Sequence, residues 1–268
     1  MMVDVRTYDT LGQAASALSS IRGAFFFGGG TLLMRAINEA DPAVATIIRT
    51  TDPAFRQIRS QGDRVVIGAG VTMSQILASR DLDFLHPVAR VIGGPAVRSL
   101  ATVGGNLFAP PPYGDLTAAL LAAGATIEIA GGYSTREARS RTCSAIATAS
   151  PAPLVASITV QRPRDPAGLR FLKVSRVKPK GIAVLSIAAA ANGRSTRIAY
   201  NGMSPTPMRA LAVERALEGR TLDASGIAPA LAVAADGTSP ADDAIASAWY
   251  RKEVLPVHLR RLLLGESA

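Results

Sequence analysis

At 268 residues, with 48% hydrophobic and 18% charged side chains, the chain is long enough for a full core in one or two domains, and its composition is globular rather than disordered. One cysteine, Cys143, excludes a disulfide within the chain and a four-thiolate iron–sulfur or zinc site; the two histidines, His86 and His258, stand far apart without carboxylates spaced for a metal. The net charge of +9 comes from 25 arginines and four lysines against 20 acids, scattered and with only 5% aromatics, a pattern that suits a protein interface or an anionic cofactor as well as nucleic acid.

The first predicted element is a helix over Thr10 to Ser20, where Thr10 and Gln13 have capping-box spacing and Leu11, Ala14, Ala15 and Leu18 share a face. Phe25-Phe26-Phe27 reads as a short buried strand running into the glycine loop Gly28-Gly29-Gly30-Thr31. Leu32 to Ile37 begins a helix or turn, Thr46-Ile47-Ile48 is a strand, and Gly62-Asp63 signals a hairpin before Val65-Val66-Ile67. Short helices are expected over Met73 to Ala78 and Pro87 to Ile92, with His86 as the residue that opens the second. Leu116, Ala119, Leu120 and Ala123 mark a helix with one buried face, and Thr126 to Ala130 alternates as a strand. Tyr133 to Pro153 reads as a long surface loop, in which Cys143 is inert, before a strand at Ile158-Thr159-Val160.

Pro163-Arg164-Asp165-Pro166 then punctuates the chain and is taken as the domain boundary. Strands follow at Phe171–Val174, Ile182–Ala190 and Thr196–Tyr200. Thr206-Pro207 caps a helix with Ala210, Val213 and Leu217 on one face, and Ser239-Pro240 with Asp242 and Asp243 opens a last helix toward Leu255 and Pro256. Trp249 reads as the packing anchor of that helix, and His258 with Arg260-Arg261 as a solvated face or a subunit contact. The class is α+β in two parts.

The chemistry concentrates in two glycine loops. Gly28-Gly29-Gly30-Thr31 is one; Ala101-Thr102-Val103-Gly104-Gly105-Asn106, followed by three prolines and Asp115 at the mouth of an apolar helix, is the other. Adjacent glycines let backbone N–H groups face an approaching phosphate without a Cβ in the way, and Asp115 offers an acceptor for a sugar hydroxyl. Leu33 stands where a Rossmann fingerprint needs its third glycine, and no Gly-Lys-Ser/Thr follows either loop, so neither that motif nor the phosphate loop of nucleotide hydrolases is present. Each loop alone is an ordinary tight turn; two with a downstream aspartate read as a cradle for a nucleotide diphosphate.

These residues resemble a known family, the FAD-binding medium subunit of the molybdenum hydroxylases, which includes bacterial carbon monoxide dehydrogenase and xanthine dehydrogenase. The family's Ala-Gly-Gly-Thr-Asp-Leu-Leu is matched by Gly28-Gly29-Gly30-Thr31-Leu32-Leu33-Met34. Its Ile-Gly-x-x-x-Ile-Arg-Asn-x-Gly-Thr-Ile-Gly-Gly-Asn is matched by Ile92-Gly93 and Val97-Arg98-Ser99-Leu100-Ala101-Thr102-Val103-Gly104-Gly105-Asn106. Gly202-Met203-Ser204-Pro205-Thr206-Pro207-Met208-Arg209 and the stretch from Asp242-Asp243 to Tyr250-Arg251 resemble its later segments, so the likeness runs nearly end to end.

The resemblance implies a two-subdomain FAD-binding domain of the vanillyl-alcohol-oxidase type over residues 1–162 (subdomains about 1–50 and 51–162), followed by a smaller α+β domain over 163–268 with an antiparallel sheet and helices. It implies FAD held by Phe27, Gly28, Gly29, Gly30, Thr31, Leu32 and Leu33 from the first loop and Ala101, Thr102, Gly104, Gly105 and Asn106 from the second. Asp115 would accept from a ribitol or ribose hydroxyl, and Lys173 would lie near the flavin. It also implies partners: a large molybdopterin-binding subunit and a small subunit with [2Fe–2S] clusters, assembled as a dimer of heterotrimers. No residue of this chain is assigned as an acid or base. Two departures stand out: Leu32 replaces the usual polar residue, removing one hydrogen bond to the cofactor, and Arg176-Val177-Lys178-Pro179-Lys180-Gly181 lacks the family's acid.

No apolar run approaches the roughly 20 residues that span a bilayer, and Met1 to Arg22 lacks the apolar block of a signal peptide, so a cytoplasmic location is expected. Two other readings stay open. A self-contained FAD oxidase or reductase would need acid and base residues that a chain poor in His and Tyr offers sparingly. A basic nucleic-acid-binding module would show steep salt-dependent affinity and no chromophore.

Overall fold

The computed structural model describes residues 3–131, 137–139, 153–177, 181–192 and 195–266. Three sheets organise them. The first is parallel, order β1-β3-β2, and comes from Asp4–Tyr8 (β1), Ala24–Phe26 (β2) and Thr46–Thr50 (β3), with helices Leu11–Ser20 (α1) and Leu33–Asn38 (α2) as the crossovers. Thr10 and Gln13 form the expected capping box, and Ala14, Ala17 and Leu18 of α1 pack on Ile48 and Leu154. The strand at Phe25 exists, but it is an edge strand and Phe25 is 39% exposed rather than buried.

The second sheet is antiparallel, order β4-β5-β8-β6-β7. Ile58–Gln61 (β4) and Arg64–Gly68 (β5) form the predicted hairpin, with Gly62 turning at a φ of +62° that favours glycine. The chain then makes five helices: Met73–Ala78 (α3), His86–Arg90 (α4), Pro95–Leu100 (α5), Val103–Leu107 (α6) and Asp115–Ala123 (α7). It returns through Thr126–Ile129 (β6), Glu137–Arg139 (β7) and Val155–Gln161 (β8). β7 pairs with β6 inside the stretch read as a surface loop; the rest of that stretch before Pro153, Cys143 included, lies outside the described residues. His86 does open α4, its Nε2 lying 2.9 Å from the Ile76 carbonyl and 3.0 Å from that of Ser79.

The third sheet is antiparallel, order β12-β11-β10-β9, from Leu169–Ser175 (β9), Ala183–Asn192 (β10), Ser195–Asn201 (β11) and Met208–Arg209 (β12). Both of its faces are covered. Successive side chains of a strand point to opposite sides, so Ala188, Ala190 and Ala199 join the core built around α7, while Ile187, Ala189, Ile198 and Tyr200 meet the C-terminal helices. The helix α7 is therefore not half-buried as its spacing suggested. All nine of its residues are buried, as its almost wholly apolar sequence allows.

The C-terminal helices are Leu211–Ala216 (α8), Ala228–Ala232 (α9) and Ala248–Leu264 (α10). Two boundaries differ from expectation, each because a side chain found another partner. Thr206-Pro207 caps nothing, since Met208 and Arg209 pair with Tyr200 and Ala199 as β12 and Arg209 closes onto Glu214 of α8. The last helix starts at Ala248 under a Ser247 cap, because Asp243 Oδ1 instead accepts from the N–H groups of Ile245 and Ala246 in a turn. The helix then runs through Pro256; the carbonyl that Pro256 leaves without a helical donor belongs to Lys252, an exposed residue.

Trp249 is 70% exposed and anchors nothing; that role falls to Arg251, 2% exposed. Its guanidinium donates to the carbonyls of Val184, Ala241 and Ala246 and forks onto Asp243 at 2.8 and 2.9 Å. Burial works to raise the Asp243 carboxyl, but the N–H groups of Ala246 and Ile245 and the Arg251 guanidinium outweigh it and hold the group below the ordinary carboxylate range. Arg260 pairs with Glu266 at 2.8 Å on the exposed side of α10. Among the described residues no helix is long and apolar enough to cross a membrane, and no group of three or more His, Cys, Asp or Glu is arranged to hold a metal ion.

Candidate functional site

Beyond β2 the chain enters Gly28-Gly29-Gly30-Thr31, and here the backbone is short of partners. Phe27 N–H still reaches the Ile48 carbonyl at 2.8 Å, but the N–H groups of Gly28 to Leu32 donate to nothing within the described residues. The loop is pressed against the end of α5. A Cβ on Gly29 would lie 1.6 Å from the Leu100 carbonyl oxygen, and one on Gly28 would lie 2.9 Å from Thr102 Oγ1. Gly30 turns at a φ of +75° under the ring of Phe27. Only glycine fits this run, and its cost is a row of unsatisfied donors.

Gly28 to Thr31 line a cavity of about 630 Å³, within the range typical of small-molecule and cofactor sites. Phe27, Met34, Val97 and Leu100 give it apolar walls; Thr31, Thr72 and Ser99 add hydroxyls; Arg35, Glu39 and Arg56 add charge. Arg35 is tied to Glu39 at 2.8 Å, one helical turn on. The α5 wall is set by Arg98, which donates to the carbonyls of Gly93 at 2.6 Å and Arg90 at 3.1 Å and so holds the turn that precedes it.

The second glycine loop is built differently. Thr102 caps the short helix α6, its Oγ1 accepting from Gly105 N–H at 3.0 Å. Val103, Gly104 and Asn106 donate to the carbonyls of Val71, Ala69 and Thr102 at 2.9, 2.8 and 3.0 Å. The backbone donors of this stretch are thus engaged internally, which the Gly-Gly spacing alone did not reveal. Gly104 is needed for packing, since a Cβ there would sit 2.9 Å from that of Ala69, whereas Gly105 is exposed. Asn106 Oδ1 accepts from Leu116 N–H at 3.2 Å, which ties α6 to the start of α7. Thr102 backs the first loop, and neither it nor Ala101 lines the cavity.

Asp115 and Lys173 meet each other rather than the cavity. Lys173 Nζ lies 2.9 Å from Asp115 Oδ2 and 3.1 Å from the Val91 carbonyl, with both side chains at or below 10% exposure. Asp115 Oδ1 accepts from Ser186 Oγ at 2.8 Å and Asn201 Nδ2 at 3.4 Å. A helix start in one part is thereby pinned to β9, β10 and β11 of the other. The lining residues that the sequence-based site assignment left out include Met34, Arg35, Arg56, Thr72, Val97 and Leu100; of these Met34, Val97 and Leu100 lie within the two quoted loop motifs, but Arg56 comes from a segment without any motif signal.

Residues 2–144 match the family described as the FAD binding domain in molybdopterin dehydrogenase, and residues 170–265 match the CO dehydrogenase flavoprotein C-terminal domain. The chain belongs to this flavoprotein family. Over 215 residues it is 30% identical to the carbon monoxide dehydrogenase medium chain of Afipia carboxidovorans, covering 76% of this chain and 75% of that one. The glyceraldehyde dehydrogenase medium chain of Sulfolobus acidocaldarius is 24% identical over 210 residues, 75% of each chain. A solved carbon monoxide dehydrogenase from Hydrogenophaga pseudoflava that lacks the Mo-pyranopterin moiety shares the fold, with a TM-score of 0.87 over all of this chain and 99% of the other, at 22% identity. The expected resemblance and the α+β architecture both hold.

As a flavoprotein medium subunit of a molybdenum hydroxylase, the chain is an oxidoreductase component whose cofactor is FAD. The geometry fits that cofactor: a glycine cradle that a single Cβ would close, unsatisfied N–H donors suited to an anion, and apolar walls beside them.

Proposed function

We propose that this chain is the electron-transfer subunit of a molybdenum-cofactor hydroxylase, receiving electrons from a small [2Fe–2S] subunit and delivering them to an external acceptor. A large molybdopterin-binding subunit oxidises the substrate, the assembly is a dimer of heterotrimers, and its location is cytoplasmic. Residues 1–162 hold the FAD and residues 163–268 close the third sheet and its helices over the Asp115 seam. One observation carries the reading: Gly28 to Thr31, whose N–H groups find no acceptor among the described residues, line an apolar cavity of about 630 Å³.

Bound FAD supplies the redox chemistry, and the protein supplies position and charge. The loop donors and Thr31 hold the diphosphate; Thr102 stiffens the loop from behind; Leu32 and Leu33 lead from the loop into α2, and Gly104, Gly105 and Asn106, outside the cavity lining, hold α6 against its neighbours. Asp115 and Lys173 act on the site by locking the seam beside it. Among the described residues the cavity wall holds no His, Tyr, Cys or Lys, and its one carboxylate, Glu39, is paired with Arg35. That favours electron transfer over a self-contained oxidase, which needs a free acid or base at its substrate. Affinity-tagged chain expressed in its native host is expected to bring down a larger chain with molybdenum and a smaller chain with iron and acid-labile sulfide. Recovery of the tagged chain alone, with FAD but no metal-bearing partners under mild salt, would contradict the assembly.

A further inference from the structure

The outer edge of β1 has no partner strand among the described residues. β1 ends the order β1-β3-β2, and Asp4 to Thr7 are all exposed, Val5 at 53%. Asp4 N–H donates to the Ala45 carbonyl at 3.1 Å, and the Tyr8 carbonyl accepts from Thr51 N–H at 3.0 Å. The parallel register runs from Asp4 beside Thr46 to Tyr8 beside Thr50, so Asp4, Arg6 and Tyr8 turn their backbone groups toward β3. Val5 and Thr7 turn theirs away from the sheet, where no described residue meets them. Arg6 and Tyr8 also line a groove of about 690 Å³, whose other wall is α1. The exposed Gly12, Ser16 and Ser20 recur there every four residues, a helix face small enough to let a second helix approach. No residue of this groove lines the FAD cavity.

An open strand edge recruits another strand, and side-chain charge selects which. Asp4 and Arg6 pair within β1 at 2.7 Å, so the edge carries no net charge to repel a copy of itself. Antiparallel pairing of β1 with its copy about an axis through Val5 matches the backbone: Val5 faces Val5, and Thr7 faces Val3, each with its N–H and C=O directed outward. The same register sets Asp4 opposite Arg6 of the copy, and Arg6 opposite its Asp4. Those are the positions between hydrogen-bonded pairs, where facing side chains come closest. An axis through Thr7 keeps the backbone match but places Arg6 opposite Tyr8 and loses both ion pairs. Because Arg6 and Tyr8 point into the α1 groove, the two small helix faces then meet on one side of the joined sheet. We propose that β1 is a docking edge for a second copy of this chain, paired antiparallel about Val5 with Asp4–Arg6 ion pairs across a two-fold axis. This contact lies outside the FAD reading and does not depend on it.

Sedimentation equilibrium of the full chain is the test. The contact is small, so a weak, reversible dimer is expected, predominant at about 100 µM and dissociated at about 1 µM. Val5→Pro removes only a donor that β3 does not use, and should weaken dimerisation about tenfold or more with circular dichroism unchanged. Asp4→Arg and Arg6→Asp, both at exposed positions, each set like charges opposite one another and should each weaken the dimer about tenfold. Mixed in equal amounts, the two variants restore opposite charges in every cross-strand pair and should recover the dimer as a heterodimer. These charge variants decide the matter even if Val5→Pro fails to fold. A native chain that stays monomeric at about 100 µM, a dimer that folded Val5→Pro does not weaken, or a mixture that associates no better than its components overturns the proposal.

Discussion

Gly29→Val is expected to yield a folded chain that no longer retains FAD. The Cβ of any residue at position 29 meets the carbonyl oxygen of Leu100 at 1.6 Å and Thr102 Cγ2 at 3.2 Å, and the first of these is backbone that no rotamer change can move aside. Relief comes only by pulling the loop away from α5, which displaces the unpaired N–H groups of Gly28 to Thr31 at the cavity. Two lost hydrogen bonds to a charged group, at about 1.5 kcal/mol or more each, amount to about a hundredfold in affinity. Gly12→Ala is the control, since nothing lies within 4 Å of the Cβ it adds. Equilibrium dialysis against FAD, beside circular dichroism, separates the outcomes: tight FAD binding in a folded Gly29→Val protein would show that the cradle is not where the diphosphate sits.

Lys173→Met is expected to cost about 3–5 kcal/mol of stability, the usual penalty for stranding one charge of a buried pair. Asp115 would keep Ser186 and Asn201 as donors but lose its counter-charge in a site where it is 4% exposed. At about 2–4 °C per kcal/mol for a chain near this size, the midpoint of thermal unfolding should fall by about 10 °C. Adding Asp115→Leu to Lys173→Met should recover most of the loss, because a well-packed apolar pair is about as stable as the ionic one. A shift of less than about 2 °C in the single variant would mean that solvent reaches the pair freely.

What the sequence discloses and what it hides divide along a physical line. Local chemistry was legible: the Thr10–Gln13 capping box, the hairpin at Gly62, the strands around Val65 and Ile187, and the Gly28–Thr31 loop all follow from short-range rules. Competition between partners was not. Asp243 spends its carboxylate on a turn and on Arg251, so it cannot start the last helix; Met208 and Arg209 are drawn into β12, so Thr206 cannot cap α8. The same holds at the site. Gly104-Gly105 spells a turn in isolation, yet Thr102 converts it to a helix start whose donors are claimed by Ala69 and Val71, distant in sequence but adjacent once β5 and α3 fold. Asp115 and Lys173, read as two contacts to one ligand, find each other because α7 and β9 converge. Family likeness supplied the identity of the cofactor; only the packing showed which loop keeps its donors free.

The most direct measurement is the flavin content of the chain itself. Purified protein, denatured by heat and clarified, is analysed by chromatography with absorbance and mass detection. Near-stoichiometric FAD, with no FMN or riboflavin, is the result this account predicts. Colourless protein that releases no flavin, and takes up none when incubated with FAD, would contradict it.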